Sequence, residues 1–143
     1  MKKLMQRFKN ERGLTLVELL AVIVILAIIA IIAFVFIGGI IENSKKDAHV
    51  SNAQQIISAA KLHESTTGEI GVTVKNLKEG DYLDQILDPW DKGDYGEDAL
   101  SATVTKDDDG YKINNFVPND TSNCKSITAS EKTLAEEGRK LCD

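Results

Sequence analysis

Gly13-Leu14-Thr15-Leu16-Val17-Glu18 leads into an apolar run from Leu19 to Ile41, and this stretch decides the fold. The run is 23 residues long and holds no charged or strongly polar side chain. As a helix it spans roughly 34 Å at ~1.5 Å per residue, enough to cross a bilayer's ~30 Å hydrocarbon core. Glu18 stands at its head. An uncompensated acid at mid-membrane depth costs on the order of 2.5–3.5 kcal/mol on insertion scales. A place near the membrane edge makes the helix tolerable and implies a partner cation; the competing reading is a lone acid snorkelling to the headgroups.

Working outward, the segment Met1–Gly13 carries five basic side chains and one acid, a net of +4. A basic segment before an apolar span keeps that end cytoplasmic and sends the downstream chain outward. An ordinary secretory signal would have a shorter apolar region ending in a small-residue cleavage site. Here the run is too long, and Ala27, Ala30 and Ala33 lie inside it rather than at its end.

Gly13-Leu14-Thr15-Leu16-Val17-Glu18-Leu19-Leu20, with the basic leader and the long run, resembles the class III signal of type IV prepilins and their pseudopilin relatives. The resemblance implies that a membrane-embedded prepilin peptidase cuts after Gly13 and N-methylates the new first residue, Leu14. The family's usual first residue is Phe, so Leu14 departs from the pattern, which bears on methylation more than on cleavage. It also makes Glu18 the acid that pairs, during assembly, with the terminal amine of a subunit in the filament. That amine has an unmethylated reference pKa near 8 and is largely charged at neutral pH. In low dielectric the two charges attract far more strongly than in water.

The full chain has a formal charge of −5, so removing a +4 leader leaves −9 on residues 14–143. An acidic exported part lacks the basic surface that strong generic nucleic-acid binding needs. Cys124 and Cys142 are the only cysteines and both fall in the outward segment. Two cysteines in an exported region read as a disulfide, with no zinc-like spacing. The resemblance adds that the family places a disulfide-bounded loop at its C-terminus.

Beyond Ile41 the helical pattern changes character. Glu42-Asn43-Ser44-Lys45-Lys46-Asp47 marks the exit into water, and Val50, Ala53, Ile57 and Ala60, with Ile56 beside them, form an apolar stripe. We read one helix over residues 14–65: apolar all round to residue 41, then amphipathic and ready to take a small sheet against one side. Gly38-Gly39 is either a close-packing site or a weak point. Thr66 to Gly71 ends the helix. Leu77, Tyr82, Leu83, Ile86 and Leu87 suit a short helical turn or a packed loop, and Trp90 after Pro89 is expected to anchor the core. The Asp88-Pro89-Trp90 segment is similar to the one leading into the sheet of G-type pseudopilins and many Gram-positive pilins. Leu100–Thr105 and Tyr111–Val117 flank Asp107-Asp108-Asp109-Gly110, a hairpin signal. Ile127–Cys142 carries a capping-box pattern at Thr128 and Glu131 and suggests a short helix.

Asp88, Asp91, Asp94, Glu97 and Asp98 form an acidic cluster of the kind that can hold calcium, as G-type pseudopilins do near this region, though the spacing is not that of an EF-hand. The alternative is a solvated loop, and no other cofactor is called for. His49 and His63 are expected to be exposed, and Asn119-Asp120-Thr121 matches a glycosylation pattern of little weight here. No nucleophile–base set, nucleophile elbow or phosphate loop is present, so no enzyme is expected.

The expected fold is α+β: a leader at 1–13, a long helix at 14–65 whose residues 14–41 form a transmembrane and filament-core half, and a pilin-like head at 66–143 with a small antiparallel sheet. The expected function is a structural subunit of a type IV pilus-like filament serving adhesion, motility or DNA uptake. The alternatives are a pseudopilin of a secretion or competence system, a minor pilin binding at the filament tip, and an anchored domain that never polymerises. The partners implied are other pilin subunits, the prepilin peptidase, the membrane, and an assembly platform with a separate ATPase. The implied location is a single-pass membrane protein with its leader inside and its head outside, then an extracellular pilus.

Overall fold

The structure, a computed structural model, describes residues 15–143. Helix α1 is Thr15–Thr67, 53 residues without a break. The chain divides into two compact units at Ile41/Glu42, so each is described by itself.

In the first unit, residues 15–41 are helical and exposed throughout. No proline interrupts them, and Gly38 and Gly39 continue the helix with nothing packed within 4 Å of where a Cβ would sit. This helix is long and apolar enough to cross a membrane.

In the second unit, residues 42–67 of α1 share a core with the rest of the head. The stripe of Val50, Ala53, Ile56, Ile57 and Ala60 is buried, as its spacing predicts. α1 ends at Thr67, two residues beyond the expected Ser65, and Gly68 follows it. There a φ of +77° lets the Gly68 amide reach the Glu64 carbonyl at 2.8 Å and close the last turn. The chain then runs through β1 (Val72–Thr73), α2 (Val74–Glu79), α3 (Glu97–Leu100), β2 (Thr103–Asp107), β3 (Gly110–Phe116), β4 (Ile127–Ser130) and α4 (Glu131–Glu137), ending in a 3-10 turn at Gly138–Cys142. α2 starts where the Thr73 hydroxyl accepts the Asn76 amide at 3.1 Å. Leu77 from α2, with Leu83 and Ile86 after it, joins the core, while Leu87 is exposed.

The sheet has four antiparallel strands in the order β1-β2-β3-β4. The expected hairpin is present: Asp107 pairs with Gly110 across Asp108-Asp109, and Gly110, at φ +115°, supplies a conformation that side chains disfavour. The strands sit within a few residues of their expected bounds. β1 and β4 were not expected. β3 carries a bulge between Ile113 and Phe116, where Asn115 takes φ +58° and its amide donates to Thr128 Oγ1 at 3.0 Å. Thr128 therefore lies in β4 and does not cap a helix. The cap is Ser130, whose hydroxyl accepts the Thr133 amide at 3.2 Å. Phe116, Ile113, Val104 and Ile127 face the α1 stripe in one buried cluster, closed below by Leu134 of α4.

Candidate assembly segment and the helix–loop clasp

Of the residues singled out in the sequence for processing and assembly, Gly13 and Leu14 lie outside the described residues. Glu18 is described and exposed on α1. The 19 large apolar residues from Leu16 to Ile41 each keep 47% or more of their surface exposed. Folded monomers rarely leave a continuous apolar surface beyond a few hundred Å² uncovered, so this segment needs lipid or protein around it.

In the head, the acidic cluster does not gather. Asp88 is fully buried; its two side-chain oxygens accept the Trp90 amide at 2.8 Å and the Asn119 amide at 2.6 Å. Asp91 accepts Asn119 Nδ2 at 2.6 Å and the Gly93 amide at 2.8 Å, and these bonds, Asn119's first, hold its carboxyl below the usual range. Asp94 takes Gln85 Nε2 at 2.9 Å and faces Lys78 at 3.7 Å. Glu97 and Asp98 open α3. Among the described residues, no three His, Cys, Asp or Glu side chains come together as metal ligands. The Asn119 amide is committed as well: Nδ2 also donates to the Asp94 carbonyl at 3.0 Å, and Oδ1 accepts the Gly96 amide at 2.7 Å.

His49 corrects the sequence reading. It is fully buried rather than exposed, because it lies one residue before Val50 on the stripe side of α1 and is covered by the loop after Asp88. Its ring stacks on Phe116, centroids 4.5 Å apart and 9° from parallel, and meets Trp90 edge-on at 5.7 Å. Nδ1 lies 2.7 Å from the Tyr95 hydroxyl, while Nε2 is buried with no hydrogen-bond partner among the described residues. Burial brings the imidazole pKa down to about 4; the charge of Asp88 and the Phe116 carbonyl oppose that shift only in part. Burial likewise pushes the Tyr95 hydroxyl up, partly offset by Asn52. Asn52 Nδ2 donates to both Tyr95 Oη at 2.9 Å and the Leu87 carbonyl at 3.0 Å. Trp90 sits half-buried at the edge of the core rather than at its centre, because its indole N–H reaches Glu42 at 3.1 Å; Phe116 takes the central place. His63 is half-buried edge-on to Tyr82.

Two further ties went unread in the sequence. Glu64 accepts Lys106 Nζ at 2.8 Å and the Tyr111 hydroxyl, and these bonds, Lys106's first, hold its carboxyl below the usual range. The C-terminal turn is fastened to α1 by Lys46–Asp143 at 2.5 Å and Arg139–Asp47 at 3.4 Å. The sulfurs of Cys124 and Cys142 lie 2.03 Å apart, a disulfide distance, and both residues are buried.

The prokaryotic N-terminal methylation motif matches residues 8–34, which is 27 of the 143. No curated protein and no solved structure matches the chain. The matched residues run from the basic leader across the Gly13–Leu14 bond and Glu18 into the exposed apolar helix. The motif points to a structural family whose members are processed by prepilin peptidase and polymerise. Ahead of a pilin-like α+β head, then, this chain carries the class III prepilin signal of type IV pilins and pseudopilins.

Proposed function

We propose that the protein is a structural subunit of a type IV pilus-like filament, held in the membrane by residues 14–41 until it is extracted and polymerised. The observation that carries this reading is the matched signal running into an apolar helical segment exposed over all of residues 15–41. Cleavage between Gly13 and Leu14 removes the +4 leader and creates an α-amine at the edge of the apolar segment. When helices bundle, that amine enters an apolar surrounding and needs an anion, and Glu18 of a neighbouring or the same subunit supplies it. An assembly platform and its separate ATPase supply the work of extension. The folded head remains outside, first on the membrane surface and then on the filament, where the role is adhesion, motility or DNA uptake.

The test is to shear surface filaments from cells, view them by electron microscopy and identify their subunits by mass spectrometry and N-terminal sequencing. Filaments built of this chain, beginning at Leu14, are expected. A chain that stays wholly in the membrane fraction, or begins at any other residue, overturns the reading.

A further inference from the structure

The segment from Leu87 to Gly96 lies against α1 through a short polar relay rather than through apolar packing alone. Asn52 on α1 donates to Tyr95 Oη at 2.9 Å, and His49 Nδ1 lies 2.7 Å from the same oxygen; we take the hydroxyl proton to lie on that second line, where Nδ1 can accept it. A neutral imidazole that accepts at Nδ1 carries its proton on Nε2, the nitrogen that is buried without a partner. The relay thus has one direction, Asn52 to Tyr95 to His49, and it depends on an uncharged His49.

We propose that His49 is a proton-operated release for this segment: one proton on the imidazole reverses the relay and lets residues 87–96 leave α1. Protonated, the ring donates from both nitrogens. The Tyr95 oxygen then faces donors from Asn52 and from His49, and its own proton loses the Nδ1 acceptor and must turn out of the relay. The charged ring would also sit in a site with no solvent access, which costs heavily unless the site opens. The titratable groups facing the ring are Asp88 and Tyr95, both from the loop; α1 contributes Asn52 and β3 contributes Phe116, neither of which titrates. Asp88 and the Phe116 carbonyl favour the charged ring, but Asp88 is engaged by the Trp90 and Asn119 amides and neither takes over the proton of Tyr95. Burial outweighs it, and the ring takes a proton at about pH 4, well below an ordinary histidine. Opening would move Trp90 off the His49 edge and free its indole from Glu42.

Trp90 is the only tryptophan, and His63 is the only other histidine. The full chain in detergent micelles is titrated from about pH 7 to about pH 3.5 while Trp90 emission and the exchange of backbone amides are followed. The expected result is a red shift of Trp90 emission and at least a roughly tenfold rise in the intrinsic-rate-corrected exchange of residues 87–96, with the β2–β3 hairpin still protected. Histidine-ring NMR should show His49 neutral and protonated on Nε2 near neutral pH, titrating together with the Trp90 shift and well below an ordinary histidine. In His49→Phe, which keeps the stack on Phe116, the red shift should be lost. An unchanged red shift in that variant overturns the proposal. Should the variant fail to fold, the wild type decides alone: His49 titrating at the ordinary histidine value of ~6.5, or apart from the Trp90 shift, overturns it.

Discussion

Asp88 shows what a single side chain does here. Its two oxygens each take one backbone amide, from Trp90 and from Asn119, so it ties the start of one loop to the end of β3's exit with no solvent exposure. Replacing it by Ala strands two amide donors, and each buried donor left unmade costs ~1–3 kcal/mol, so a loss of about 2–6 kcal/mol is expected in denaturant unfolding. Asp88→Asn, which keeps an acceptor of the same shape, should lose less. Equal losses for the two variants would show that the amides are not what Asp88 serves. His49 gives a pH dependence whose sign comes from its lowered pKa. The unfolded chain binds the proton first, near the ordinary value of ~6.5, so stability is complete above that pH and falls as pH drops toward about 4. The full effect is about 3 kcal/mol. Urea unfolding at several pH values should show this slope in the wild type and a flatter one in His49→Phe.

Among the elements, those whose pattern is set by the local sequence were legible and those set by distant partners were not. The α1 stripe repeats at helical spacing, and the Asp107–Gly110 turn sits between alternating runs, so both were read from residues alone. β1 is two residues long and exists only because Val72 and Thr73 pair with Val104 and Thr103. β4 hides in a stretch whose Thr128 and Glu131 imitate a capping box; the bulge at Asn115 claims the Thr128 hydroxyl first. His49 was misread because its burial comes from a loop some 40 residues away, which helical spacing cannot report. The cap assignment makes its own prediction: Ser130→Ala removes the hydroxyl that accepts the Thr133 amide and should cost about 1 kcal/mol, the usual worth of an N-cap. Thermal unfolding of Ser130→Ala, set beside the wild type and Ser130→Asn, which keeps a capping oxygen, checks it. No loss would return the start of α4 to an upstream residue.

For the whole molecule, the proposed function asks what would keep a small head folded as its helix leaves a membrane. The core is modest, so the tie between the C-terminal turn and the rest of the head matters. A bond between Cys124 and Cys142, 18 residues apart, is worth ~3 kcal/mol in the chain-entropy model. Exported protein should therefore show no free thiol by mass analysis without reductant, and replacing both cysteines by Ser should lower its melting temperature by several degrees. Under the proposed function, Glu18 acts at a later stage. Deleting a charge from an apolar segment lowers the cost of insertion, so Glu18→Val should reach the membrane and be cut after Gly13 as the wild type is. Its deficit should appear only when subunits join, because the Leu14 amine then enters the bundle without an anion. Filament number should drop at least roughly tenfold, the effect of ~1.4 kcal/mol per added subunit. A lone snorkelling carboxylate predicts the opposite, with assembly unchanged or improved. Wild-type filament numbers from cells making only the Val variant, with that variant identified inside the filaments, would remove the pairing from the mechanism while leaving the class III signal intact.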